Sequence, residues 1–124
     1  MANTVTSEIS VSTSISGVSR TIVLGPTEVT MTGDRVTELI QEVGTDWEGM
    51  DFGDVATPAL LLVENLDSTN IVEVSHLEGS EREFAELQPR EWLFMRLHHD
   101  MTVSKLRFKA LVAACMIRTM LAEK

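Results

Sequence analysis

Between residues 9 and 16 aliphatic or threonine side chains alternate with serine: Ile9, Val11, Thr13 and Ile15 against Ser10, Ser12, Ser14 and Ser16. Successive side chains of an extended chain point to opposite faces, so a period of two buries one face only if the segment is a strand. Val18–Leu24 and Glu28–Thr32 read as the next two strands, closed by the turn signals Gly25-Pro26 and Gly33-Asp34. Val36–Val43 has helical spacing through Val36, Leu39, Ile40 and Val43, but Thr37 and the flanking valines favour a strand. The acidic stretch Thr45–Thr57 reads as a loop, and its Trp47 and Phe52 are rings of the kind that pin a loop to a domain.

The aliphatic run of Pro58–Leu66 predicts a strand buried on both faces. Asp67-Ser68-Thr69-Asn70 is turn chemistry throughout and Ile71–His76 follows at once, so residues 59–76 are predicted to form a hairpin. Arg82–Leu87 follows the turn Glu78-Gly79-Ser80, and Trp92–Leu97 follows Gln88-Pro89-Arg90-Glu91; Trp92 and Phe94 share a face that reads first as core and second as an anchor for a partner. Val103–Lys109 sets Lys105, Arg107 and Lys109 against Leu106 and Phe108. In Leu111–Ala122 the Ala, Met and Leu content favours a helix, and Met120 and Ala122 spoil clean alternation. About eight to ten short strands with turn signals between them predict an all-β fold, a jelly-roll-like sandwich of antiparallel strands, with the C-terminal segment open between helix and strand.

The 124 residues suffice for one domain, 1–124, with 1–16 a candidate N-terminal arm or strand engaging a neighbour. Scaling of surface with mass lets a chain of this size bury about two-thirds of its surface, enough for a single core. The apolar runs Ala59–Val63 and Ala110–Ile117 fall far short of the ~20 residues that span a bilayer. The first 20 residues carry no early cation and no apolar block, so no secretory signal is expected.

The net charge of −9 argues against nucleic acid and against anionic membrane, both of which need a basic face. Five of the ten bases, Lys105, Arg107, Lys109, Arg118 and Lys124, lie in the last twenty residues beside the single acid Glu123. That basic segment suits an acidic surface, the chain's own or a partner's.

Reactive chemistry is poorly supplied. Neighbouring histidines on a strand point to opposite faces, so His98-His99-Asp100 reads as a polar turn rather than a chelate. Asp46, Glu48, Asp51 and Asp54 lack the spacing of a calcium loop. The lone Cys115 sits among aliphatic residues, which marks a small core side chain rather than a nucleophile. No nucleophile elbow, phosphate loop or dinucleotide fingerprint is present. Neither a catalytic residue nor a cofactor is expected, and the chain is read as a non-enzyme.

Residues 53–97 carry a longer signal. They contain Leu60-Leu-Leu-Val-Glu-Asn65-Leu-Asp67, then Thr69-Asn70-Ile-Val72-Glu73, Phe84, Leu87-Gln-Pro89-Arg-Glu91 and Leu93-Phe-Met-Arg-Leu97. This resembles small virion structural proteins of tailed bacteriophages: an apolar strand ending in Asn-Leu-Asp, a turn, Asn-x-Val-Glu, then Leu-x-Pro-Gly-Glu before a Phe-Arg-Leu-type strand. Asn65, Leu66, Asp67, Asn70, Val72, Glu73, Pro89 and Glu91 occupy matching positions, and Arg90 stands where the pattern has glycine. The resemblance covers about a third of the chain. It implies a β-sandwich that assembles in the particle, with strands at the C-terminus, two turns built by the motifs and no catalytic residues.

On that basis the expected role is a decoration or cement protein of a phage virion, made in the bacterial host cytoplasm. It would bind the major capsid protein or another virion protein and bridge neighbouring shell subunits. The chain would itself be a symmetric homo-oligomer such as a trimer, with no direct nucleic-acid or membrane contact. The candidate interface residues are Ile9, Val11, Thr13 and Ile15, as a strand added to a neighbour's sheet edge, together with Lys105, Arg107 and Lys109. The alternatives are a neck, tail or baseplate component, and a small carbohydrate-binding or other ligand-binding β domain.

Overall fold

A computed structural model describes residues 3–53, 55, 57–98 and 105–123. Ten strands account for most of them: β1 Asn3–Ile15, β2 Val18–Met31, β3 Val36–Val43, β4 Glu48–Gly49, β5 Pro58–Asn65, β6 Val72–Glu78, β7 Ser80–Leu87, β8 Trp92–Arg96, β9 Leu106–Ala110 and β10 Cys115–Glu123. There is no α-helix among the described residues. Where length predicts one domain, the chain divides into two compact units, Met1–Thr32 and Gly33–Lys124.

The first unit is a two-stranded antiparallel ribbon of β1 and β2. Ser16 and Gly17, with φ of 51° and 78°, turn the chain between the paired residues Ile15 and Val18. Two consecutive positive φ values mark the two-residue turn whose twist matches that of paired strands. The turn expected at Gly25-Pro26 is not a chain reversal. β2 runs through it, and the register against β1 shifts there, from Ser7↔Thr27 to Ile9↔Leu24. Gly25, at φ +94°, is needed for this bulge, because a Cβ would lie 2.6 Å from the carbonyl oxygen of Ser7.

The second unit holds two four-stranded sheets, ordered β3-β10-β5-β8 and β4-β9-β6-β7, with every pairing antiparallel. Numbered from one to eight in this unit, the orders are 1-8-3-6 and 2-7-4-5, so nearly every connection crosses from one sheet to the other. That winding is the eight-stranded jelly roll, as the strand pattern predicts. It corrects the hairpin expected over residues 59–76: β5 pairs with β10 and β8, whereas β6 pairs with β7 and β9. Residues 111–122 contain a strand, β10, which lies between β3 and β5.

Both sheets contribute to one core. Val43, Leu61, Val63, Ile117 and Leu121 from the first pack with Val72, Val74, Leu87, Leu106, Phe108 and Ala110 from the second. Phe108 is fully buried, and burial of such side chains stabilises by about 2 kcal/mol each. The loop after β3 is held as its aromatics suggest, with Phe52 and Met50 inside the core. Gln41 fastens it by donating to the Gly49 carbonyl at 3.1 Å and accepting from the Asp51 amide at 3.0 Å.

Candidate interaction surfaces

Alternation along β10 sends Cys115, Ile117, Thr119 and Leu121 into the core, so Met116, Arg118, Met120 and Ala122 face outward. Cross-strand pairing extends this outer face across the whole first sheet. One row runs Ile40, Arg118, Glu64, Trp92; the next runs Glu38, Met120, Leu62, Phe94; the third runs Val36, Ala122, Leu60, Arg96. Six of these twelve side chains are aliphatic, Met or Ala, or eight with the two aromatics. At the Val36 end Leu60 and Ala122 are buried. Toward the rim Val36, Ile40 and Trp92 stay 63%, 58% and 52% exposed. The central charges pair with each other, Arg118 Nη1 lying 3.5 Å from Glu64 Oε1.

This face corrects the assignment of Trp92 and Phe94 to the core. They do share a side of β8, but Leu93 and Met95 are the residues packed on the core cluster. The apolar outer face as a site is not among the sequence expectations, although its signal was present: apolar residues occur at both parities in β5, β8 and β10. The Met120 and Ala122 that break clean alternation are members of it.

The outer face of the second sheet is polar. Lys105, immediately before β9, and Arg107 and Lys109 within it lie in one row, as their spacing predicts, and each meets a carboxylate of the same chain. Lys105 Nζ is 3.3 Å from Glu78, Arg107 Nε 3.0 Å from Glu81 and Lys109 Nζ 3.4 Å from Glu73. Arg107 also donates to the Trp47 carbonyl at 2.9 Å, Lys109 stands 4.9 Å over the Trp47 ring, and Ser75 donates to Glu81 at 2.5 Å. The basic segment therefore complements the acidic strands beside it, the first of the two uses its charge suggests. At the sheet's edge β7 is guarded against further pairing by a register shift opposite Val74/Ser75 and by Glu81, Glu83 and Glu86. An open depression of about 270 Å³ on this strand is lined by Glu73, Glu83, Phe84, Ala85 and Glu86.

In the ribbon, Ile9, Val11, Thr13 and Ile15 pair with Leu24, Ile22, Arg20 and Val18 on one face, while Ser10, Ser12 and Ser14 pair with Val23, Thr21 and Ser19 on the other. The candidate residues of β1 thus form half of an aliphatic face. They pair with β2, which the sequence separates from them by only two residues.

The motif residues of 65–91 converge at one end of the jelly roll. The buried Asn65 side chain donates to the carbonyls of Asn70, Leu87 and Gln88 at 2.8, 3.1 and 3.3 Å, and its amide donates to the Glu91 carbonyl at 2.9 Å. Asp67 accepts from the amides of Thr69 and Asn70, both at 2.7 Å. Those two amides hold its carboxyl below the usual carboxylate range. Gln88–Glu91 is a turn closed by the Glu91 amide on the Gln88 carbonyl at 3.0 Å, with Arg90 at φ 69°. The second motif thus forms a hydrogen-bonded turn, whereas the first forms the crossover from β5 to β6 in the other sheet, held by the Asp67 carboxylate.

Among the described residues no three His, Cys, Asp or Glu side chains stand together as metal ligands. His99 and Asp100 lie outside the described residues. Cys115 is buried and donates to the Ala113 carbonyl at 3.4 Å; burial, with the Asp67 carboxylate adding to it, pushes its thiol above the ordinary value. Comparison with family models, curated proteins and solved structures finds no match.

Proposed function

We propose that this chain is a non-enzymatic structural protein that binds a larger protein assembly through the outer face of the β3-β10-β5-β8 sheet. The observation that carries the reading is that this sheet is apolar on both sides. A sheet at the surface of a sandwich needs only its inner face apolar. Here the outer face presents Trp92, Ile40 and Val36 at its rim around Leu62, Phe94 and Met120. Trp and Met, with flanking Arg96 and the Arg118–Glu64 pair, match the composition of protein interfaces: apolar anchors ringed by polar groups.

The assembly in view is the virion of a tailed bacteriophage, with the chain as a decoration protein on the capsid surface that bridges neighbouring shell subunits. Support for this setting comes from the motif resemblance over residues 53–97. The jelly roll, a fold also used by viral capsid proteins, agrees with it by analogy of fold alone. Each bound copy adds buried apolar area across a joint between shell subunits, where internal pressure would otherwise part them.

Mass spectrometry of purified particles, with copy number per particle, tests the proposal. Hundreds of copies support a place on the shell. Six or twelve copies move the chain to the neck or tail. Absence from the particles overturns the reading.

A further inference from the structure

We propose that the β1–β2 ribbons of separate copies of this chain pair with one another, aliphatic faces inward, so that the arm is a self-association element. The inference rests on the assembly reading and names a second copy as the partner of this segment.

An isolated two-stranded ribbon is marginal in water, because one ladder of hydrogen bonds and one exposed apolar face do not offset the ordering of the chain. This ribbon has twelve paired positions and a register-specific division into an aliphatic face and a hydroxyl face. On the aliphatic face Val11, Ile15, Val18, Ile22 and Leu24 are each between 50% and 70% exposed. At roughly 100 Å² per aliphatic side chain they present roughly 300 Å² of apolar surface, the scale of a functional patch.

The edges point the same way. β1 and β2 pair only with each other among the described residues, so each keeps one open row of backbone donors and acceptors. Strands that must stay single are blunted by lysine, proline or inward-pointing charge. From Ile9 to Leu24 there is no Lys, no Pro and no acid, and Arg20 is the only charged side chain.

Charge selects the partner. Residues 1–32 hold two acids and one base, net −1, whereas residues 33–124 hold seventeen acids and nine bases, net −8. Copies of a strongly acidic chain repel wherever the acidic parts meet, and they approach with least cost through their near-neutral ribbons. Two ribbons face to face would cover roughly 600 Å² of apolar surface, short of the ~1,200 Å² of a stable interface. Three ribbons joined edge to edge close six strands, which covers every aliphatic face and leaves no open edge.

The test is the solution mass of the full chain by light scattering, with Ile22→Lys on the aliphatic face and Ser19→Lys on the hydroxyl face as variants. Both tryptophans, Trp47 and Trp92, lie outside the ribbon, so their fluorescence reports whether the jelly roll stays folded in each variant. Wild type and Ser19→Lys are expected as oligomers of two or more 13.7 kDa chains, three being the geometry that closes. Ile22→Lys is expected at 13.7 kDa with unchanged fluorescence, and Ile22→Thr, which keeps a β-branched side chain, is expected to weaken association in the same direction. A monomeric wild type, an Ile22→Lys variant that stays oligomeric, or equal dissociation by Ser19→Lys would overturn the inference. A wild type that binds particles yet is monomeric in solution defeats this inference alone. Oligomers that never bind particles defeat the functional reading instead.

Discussion

Arg90 sits where the backbone calls for glycine. It is the third residue of Gln88-Pro89-Arg90-Glu91, and Pro89 fixes the second position while φ of 69° places Arg90 in the left-handed region. Together these define a type II turn, which takes glycine at its third position. An L side chain there costs roughly 1–2 kcal/mol, partly offset by the greater freedom glycine has when unfolded. Arg90→Gly is therefore expected to stabilise the protein by about 0.5–1 kcal/mol, a rise in melting temperature of about 4 °C by calorimetry. Loss of stability would show that the Arg90 side chain contributes contacts outweighing the strain. The turn was legible in the sequence from Pro89 and its polar neighbours. Its type was not, because Arg in place of glycine hides the sign of φ.

Strand-scale features divide in the same way. The strands were legible because alternation depends only on neighbours along the chain, and β3, β5, β7 and β8 fall close to where the pattern puts them. Connections were less legible. Asp67-Ser68-Thr69-Asn70 has the chemistry of a tight turn whether the chain returns in its own sheet or crosses to the other, and only tertiary pairing decides. Gly25-Pro26 carries the signal of a reversal, yet β1 already supplies a ladder that keeps β2 extended through it. Asn65 closes the crossover by tying the β5–β6 connection to the β7–β8 connection, with its side-chain amide shared among three carbonyls. Asn65→Ala strands buried acceptors from both connections and leaves a small cavity. It is expected to cost about 3 kcal/mol in chemical denaturation. A cost below about 1 kcal/mol would mean that water replaces the amide and that Asn65 is not the tie between the two connections.

On the scale of the molecule, one core and one outer apolar face arise from the same sheet. β5 and β10 are central strands, so both of their faces meet other side chains, and the sequence answers with apolar residues at both parities. That doubling reads along the chain as spoiled alternation, which is why residues 111–122 resembled a helix and why the outer face could not be assembled before pairing was known. The basic row of β9 was fully visible, whereas its pairing with Glu73, Glu78 and Glu81 needed the neighbouring strands in place. The central claim is that the outer face of the first sheet is where this chain meets its assembly. The most direct test is a binding titration of purified chain onto particles that lack it, comparing wild type, Trp92→Lys and, on the opposite sheet, Phe84→Lys. Wild type and Phe84→Lys are expected to bind saturably with equal affinity, and Trp92→Lys to bind at least about tenfold more weakly, the loss typical of a buried aromatic anchor. Trp92→Lys binding as tightly as wild type would contradict the account.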